Sequence, residues 1–326
     1  MPVLEIHIPI SPTASFFRQV HYLAASLRAN CRDFAGMRLV VTVGEDCEPF
    51  DIAGRLPWTA HYPIEFRWLP RHLYQSFGYF GTTLHRYRYT YDAPLVLMMD
   101  ADIVVARDFT ELLDQVLAAP AFHSMLAHAS PFHNSGLLHL HSDEEWWRSV
   151  FRAAGLGEPE FTCQYTGYGY LGGDGFPRYG PPNFNQGVVI APASLIRSLG
   201  SDLYREIEHV NSVVDTFFRF QIALTLALVR QRVAWRSLPM RYNFTPGFDV
   251  YIERLRDEWE HVRFIHYTKT RQFSKDLLDD GKAMEDWLAA APAREPEATL
   301  RDVFAPLHRI VLEEDALRPE AMTTNA

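Results

Sequence analysis

The stretch Pro94-Leu95-Val96-Leu97-Met98-Met99-Asp100-Ala101-Asp102-Ile103-Val104-Val105 decides how this chain is read. Leu95 to Met99 is a short, continuous apolar run, the pattern of a central strand covered on both faces. Two carboxylates follow directly. In extended backbone residues i and i+2 point to the same side, so Asp100 and Asp102 converge just beyond a buried strand.

Working outward, the pattern repeats. Val3 to Ile8 reads as a first strand, Pro9 to Pro12 as a loop, and residues 13–29 as a helix carrying Phe17, Val20, Ala24 and Leu27 at helical spacing. Met37–Val43 and Ile64–Leu69 read as strands. Residues 72–91 read as a helix with loops, and a helix begins near Arg107-Asp108-Phe109. Further strands are expected at Ser124–Ala127, Phe184–Ile190 and Val262–Ile265. Helices are expected at 143–154, 193–209, 213–230 and 298–311, with a frayed tail after about 315. Strands alternating with helices predict an α/β architecture with a mostly parallel central sheet and flanking helices. The division expected is one domain over 1–290, with halves 1–120 and 121–290, followed by a C-terminal amphipathic helix and tail over 291–326.

In a parallel α/β sheet ligands bind beyond the carboxyl ends of the strands, where Asp100 and Asp102 stand. Two like charges so close raise each other's pKa unless a cation lies between them. Hard oxygen donors favour Mg²⁺ or Mn²⁺, and Mg²⁺ sites typically combine one or two carboxylates with substrate phosphates. The competing reading is a strand-end turn in which Asp100 caps the following backbone.

The chain has 326 residues, 48% hydrophobic and 22% charged, with a net charge of -9. An acidic surface repels phosphate backbones, so nucleic acid is not an expected partner. Cys31, Cys47 and Cys163 form no CxxC pair, which argues against a disulfide framework or structural zinc and for a reducing compartment. The N-terminus lacks the charge and apolar core of a signal peptide, and no apolar run approaches the roughly 20 residues that span a bilayer. A cytoplasmic location is expected, with peripheral membrane contact left open.

Four segments then carry a resemblance. They are Leu97-Met98-Met99-Asp100-Ala101-Asp102-Ile103-Val104-Val105 with Asp108-Phe109 and Leu112; Phe184-Asn185-Gln186-Gly187-Val188-Val189-Ile190; Gln221 with Leu224 and Leu228; and Phe264-Ile265-His266-Tyr267-Thr268-Lys269. In this order they resemble the DxD segment, the F-N-x-G-V strand, the D-Q-x-x-L helix and the H-x-x-G-x-K segment of GT-A-fold glycosyltransferases. The match is most similar to retaining glycosyltransferase family 8. Phe220 stands where that pattern has Asp, no Gly lies between His266 and Lys269, and no Pro-Trp follows.

The resemblance implies a GT-A (Rossmann-like) fold and a metal-dependent enzyme moving a hexose from a UDP-sugar. The acceptor is a saccharide, lipid-linked saccharide or protein hydroxyl, and retention is favoured. It makes His266 the third metal ligand with Asp100 and Asp102. Imidazole among carboxylates tilts the ion from Mg²⁺ toward Mn²⁺. Asp100, Ala101 and Asp102 would hold the metal–diphosphate, and Lys269 would add positive charge to the phosphates. Arg86, or Arg88, would lie near the donor. The loops with Ile10 and Ser11 and with Gly44 would hold base and ribose. Asn185 and Gln186 would lie at the sugar, and Gln221 beside the anomeric carbon. Gln221, Asp100 and Lys269 are the expected catalytic residues. An inverting enzyme needs a general base; Asp174, Asp215 and Asp249 are the candidates.

Gln221 is also notable on physical grounds. It shares a helical stripe with Val214, Phe217, Leu224 and Leu228, and an amide on a buried face needs partners. Those partners are either a substrate or core backbone. The Gly- and Tyr-rich segment Tyr165–Gly175 reads as an acceptor loop or as an irregular connection packed by its own aromatics. His123, His128, His133, His139 and His141 lack the accompanying Cys or H-E-x-x-H of a zinc site. Two other functions compete. A nucleotidyltransferase would want a Gly-rich basic loop after the first strand, where Pro9-Ile10-Ser11-Pro12 stands. A non-catalytic nucleotide-sugar-binding protein would have no need of the Asp100, Asp102 and His266 set.

Overall fold

The computed structural model describes residues 2–128, 130–132, 142–164, 179–246, 255–267, 273–292 and 295–316. Its strands are β1 (Leu4–Ile10), β2 (Met37–Val43), β3 (Ile64–Trp68), β4 (Leu95–Met99), β5 (Ile103–Val105), β6 (Phe122–Leu126), β7 (Cys163–Gln164), β8 (Tyr179–Gly180), β9 (Phe184–Pro192), β10 (Trp235–Ser237) and β11 (Phe264–His266). Seven of them form one sheet in the order β10-β6-β9-β4-β1-β2-β3. Strand β4 is its middle strand and all five residues are buried. Leu95, Leu97 and Met99 join one apolar layer, and Val96 and Met98 the other. An uninterrupted apolar sequence is what a strand covered on both faces requires.

The pairings β1 with β2, β1 with β4, β2 with β3 and β6 with β10 are parallel, and β9 alone runs against its neighbours β4 and β6. The carboxyl ends of β1, β2 and β4 therefore open on the same edge. Helix α1 (Ala14–Asn30) starts where Thr13 Oγ1 accepts from Phe16 N, and packs Val20, Leu23 and Leu27 into the first layer. Helix α2 (Ile52–Arg55) and helices α3 (Arg71–Phe77) and α4 (Tyr79–His85) follow, and α5 (Thr110–Ala118) lies between β5 and β6. Helix α6 (Asp143–Ala153) opens with a capping box between Ser142 and Glu145. With α7 (Ala193–Asn211) and α8 (Arg219–Arg230) it covers the second layer, where Trp147, Ile196, Leu199 and Leu224 are buried.

Several elements differ from expectation. Pro9 and Ile10 continue β1 instead of forming a loop; Pro9 pairs in register with Thr42 and Ile10 with Val43, and Ile10 is fully buried. The apolar run 213–230 is not one helix. Helix α7 extends to Asn211, and α8 starts only at Arg219. Between them the Thr216 hydroxyl donates to Pro131 O at 2.7 Å and accepts from Phe218 N, local bonding that competes with helix. Phe217, expected on the buried stripe, is 68% exposed, and Val214 is buried outside the helix. The late strand is Phe264–His266, one residue beyond the expected end.

The C-terminal helix is longer than 298–311: it spans Glu295–Ala316 with Pro306 inside. Leu300, Phe304, Leu307 and Val311 pack into the same layer as α1. One turn later Glu314 accepts from His21 Nε2 (2.7 Å), Tyr62 Oη (2.7 Å) and Arg28 Nη2 (2.5 Å). Those bonds carry the helix past its apolar stripe. Among the described residues no helix is long and apolar enough to cross a membrane. The three cysteines are free.

Candidate metal centre

Strand β4 ends at Met99, and the chain turns through Asp100, Ala101 and Asp102 into β5. Both ends of the turn are fixed by backbone: Asp100 N donates to Gly187 O (3.0 Å), and Tyr267 N donates to Asp102 O (3.0 Å). The second bond continues the antiparallel pairing of β5 with β11, in which His266 stands opposite Ile103. His266 Nε2 thus comes to 3.1 Å from Asp102 Oδ1 and 3.8 Å from Asp100 Oδ2. One donor atom from each of the three residues lies within 4.8 Å of the others. The imidazole is only 7% exposed, while the Asp100 and Asp102 side chains are 40% and 28% exposed. The cluster is walled on the protein side and open on the other.

A second layer holds His266. Its Nδ1 lies 2.9 Å from Asn243 Oδ1; Asn243 Nδ2 donates to Asn185 Oδ1 at 3.0 Å, and Gly187 N donates to the same oxygen at 2.9 Å. Gly187 leaves room for the ring: a Cβ there would sit 2.6 Å from His266 Cε1. The pairing of β9 with β6 slips between Ser124 and Met125, and the Ser124 hydroxyl spans the irregularity with bonds to Asn185 O (2.7 Å) and Val188 O (2.8 Å). Bulges commonly re-aim groups beside active sites.

The electrostatics are those of a crowded acidic site. Burial, reinforced by Asp102, pushes the Asp100 carboxyl above its ordinary range. Burial would also raise Asp102, but the charge and hydrogen bond of His266 hold it low. Burial alone would lower His266; the two carboxylates raise it instead. Burial, with His266 nearby, pushes His128 down to about 4, so it is neutral. Beneath the site the fully buried Arg86 donates from Nη1 to His7 O (2.8 Å) and Met99 O (3.2 Å), tying the middle of β1 to the end of β4 and placing a fixed positive charge toward Asp100.

The remaining expected residues divide clearly. Ile10 contributes no side chain to the opening, because it is fully buried; Ser11 is the first partly exposed residue beyond β1. Gly44 packs against α4, where a Cβ would meet Thr82 Oγ1 at 1.8 Å, and its N–H donates to Ile10 O. Asn185 supports His266 from behind. Gln186 is buried with Nε2 unpartnered. Gln221 is half-buried in the first turn of α8. Lys269, Asp174, Asp249, the segment Tyr165–Gly175, His133, His139, His141 and the tail after 316 lie outside the described residues. Not foreseen were Asn243, Ser124, the steric role of Gly187, and Tyr79, whose hydroxyl donates to Pro9 O at 3.2 Å and feels both carboxylates. Asn243 carried no signal in the sequence, standing 23 residues before His266.

No family model matches the chain, and no curated protein does. Solved structures do. A crystal structure of the galactosyltransferase LgtC in complex with donor and acceptor sugar analogs superposes with a TM-score of 0.55 at 15% identity, covering 89% of this chain and 98% of that one. The chain has the GT-A fold. The apo structure of the bifunctional glycosyltransferase WbbM gives a TM-score of 0.51 at 14% identity over 89% of this chain and 50% of that one. The apo glycosyltransferase GlyE of Streptococcus pneumoniae TIGR4 gives 0.51 at 11% identity over 99% and 66%. At these identities the shared property is architecture. The GT-A frame places the edge of β1, β2 and β4 where an open α/β sheet binds ligands, and Asp100, Asp102 and His266 stand on that edge.

Proposed function

We propose that this chain is a divalent-metal-dependent glycosyltransferase that transfers a hexose from a UDP-sugar to a hydroxyl of a saccharide, lipid-linked saccharide or protein, with retention of configuration. The observation that carries the reading is the convergence of Asp100, Asp102 and His266 at the open edge of β4. The donor set fits a divalent ion: two carboxylates that repel each other, one already raised by burial and by its neighbour, and an imidazole held from behind. One nitrogen with two oxygens favours Mn²⁺ over Mg²⁺. A cation bound there would supply Lewis-acid neutralisation of charge building on the departing diphosphate.

The chain's own residues set the rest. Asp100 and Asp102 orient the diphosphate side, and Arg86 lowers the cost of holding two carboxylates together by its buried charge. Lys269 adds charge to the phosphates. Ser11, the backbone of Ile10 and the turn at Gly44 border the nucleotide. The unpartnered Gln186 Nε2 and the Gln221 amide serve the sugar. Asn185 retains only its amide nitrogen for substrate, since its oxygen is engaged by Gly187 and Asn243. Among the described residues the one candidate base, Asp215, is 94% exposed and paired with Arg219, which supports retention.

The test is a thermal-shift screen of nucleotide sugars with and without Mn²⁺, followed by donor hydrolysis and transfer assays. Asp102→Ala is expected to lower turnover roughly 100-fold or more, beyond the 10–100-fold seen for outer-shell partners. Full activity with unchanged metal dependence in that variant would sink the assignment. Pyrophosphate release from a nucleoside triphosphate would make the chain a nucleotidyltransferase, and UDP binding without turnover on any acceptor would make it a binding protein.

A further inference from the structure

Three polar groups behind His266 decide which side of its ring carries a lone pair. The starting point has no ambiguity: the Gly187 backbone N–H can only donate, and it meets Asn185 at 2.9 Å, so the Asn185 atom there is the oxygen. Asn243 approaches that same oxygen at 3.0 Å. Two amide oxygens would repel, so Asn243 presents its nitrogen. Its oxygen is thereby turned toward His266 Nδ1, 2.9 Å away. That oxygen has no hydrogen to give, so Nδ1 carries one. A neutral imidazole has a single N–H. Nε2 points the other way, 3.1 Å from Asp102 Oδ1 and 3.8 Å from Asp100 Oδ2, so without a cation both ring nitrogens face an acceptor and compete for the proton. Reversal on the Nδ1 side would turn two buried amides and leave the Gly187 N–H unpaired, whereas the Asp102 carboxylate is 28% exposed and can turn to water or to a cation, so Nδ1 keeps the proton and Nε2 the lone pair.

We propose that Asn243 is a positioning residue which, with Asn185 and the Gly187 amide, locks neutral His266 in the Nδ1–H tautomer and presets Nε2 as the third metal donor. The inference rests on reading Asp100, Asp102 and His266 as a metal site. Burial makes the lock effective: Asn243 is fully buried and His266 nearly so, so the chain of alternating donors and acceptors has no easy route to reverse. The same peptide serves both halves of the site. Gly187 O receives Asp100 N, its N–H starts the relay, and its missing Cβ admits the ring. A hydrogen bond from the far nitrogen of a ligating histidine fixes tautomer and ring orientation, and its loss typically weakens metal binding 10–100-fold.

The test uses the full chain, metal-free and labelled with ¹⁵N-histidine, at a pH above the titration of the ring. The His266 signals are assigned by their loss in His266→Gln. They are expected to report the Nδ1–H tautomer; the Nε2–H tautomer overturns the proposal. In Asn243→Ala the tautomer is expected to become mixed, and Mn²⁺ affinity measured without nucleotide to fall roughly 10–100-fold. Asn243→Asp keeps an accepting oxygen and is expected to keep the tautomer. Unchanged tautomer and Mn²⁺ affinity in Asn243→Ala overturn the positioning role. Should that variant not fold, Asn185→Ala frees the Asn243 amide to turn and is expected to produce the same mixed tautomer; an unchanged signal there overturns the proposal as well. A wild-type protein that shows Nδ1–H but binds no Mn²⁺ supports the lock and sinks the metal assignment, so the two failures are separable.

Discussion

Gly187 shows how much one missing methyl can decide. A Cβ at this position would lie 2.6 Å from His266 Cε1 and 2.7 Å from Nδ1, closer than atoms pack, and the neighbour is an imidazole held by Asn243. The ring must move. We expect Gly187→Ala to lower stability by about 1–3 kcal/mol, the usual range for overpacking, and to weaken Mn²⁺ binding at least tenfold. Denaturant midpoints and Mn²⁺ titration check both parts; wild-type affinity in this variant would show that the ring position is not limiting. Asp100 and Asp102 were legible because both lie on one short segment whose geometry follows from the strand before it. Asn243 and Ser124 were not, because their importance comes from partners 23 and 61 residues away in the chain.

At the scale of elements, the C-terminal helix is the one whose attachment is most exposed to conditions. Glu314 sits among His21, Tyr62 and Arg28, and the His21 ring stacks on Trp58 at 4.2 Å. Burial keeps His21 below its ordinary 6.5, opposed only in part by Glu314. Burial would raise Glu314, but its three partners hold it below 4.5. Both groups have depressed folded values, so both signs agree. Below pH 6.5 the unfolded chain takes up a proton that folded His21 refuses, and below 4.5 the unfolded carboxyl does so before Glu314; stability from each is present at higher pH and falls as pH drops. The melting temperature is therefore expected to fall from pH 7 toward pH 4. Glu314→Gln should cost about 3 kcal/mol at pH 7, as expected for breaking a buried ionic network, and should flatten the descent below pH 5. A pH-independent melting temperature would rule out this network as the latch. The apolar stripe of this helix was readable from sequence; its last turn was not, because Glu314 looks like any surface glutamate until α1 is placed beside it. The run 213–230 failed for a related reason: Thr216 breaks it through a bond to Pro131.

For the whole molecule, two apolar layers share one sheet, and β4 contributes to both. Ligation at the end of β4 is thus coupled to the stability of the entire body. Mn²⁺ with UDP at 100 times Kd is expected to stabilise the fold by about 2.7 kcal/mol through mass action, raising the melting temperature by a few degrees. Asp102→Ala should abolish that rise while melting within a few degrees of the wild type without ligand; an undiminished rise would place the ligand elsewhere. The sequence alone determined that a mostly parallel sheet exists, where its central strand lies, and that two carboxylates leave it together. Those properties follow from residue periodicity over a few positions, because a strand's side-chain directions are set locally. Only the tertiary structure decided that His266 reaches the pair, that β9 bulges at Gly187 to admit it, and that Asn243 faces its far nitrogen. Each is a contact between segments far apart in the chain, made by the pairing of β5 with β11 and β6 with β9, and no local periodicity encodes such pairings.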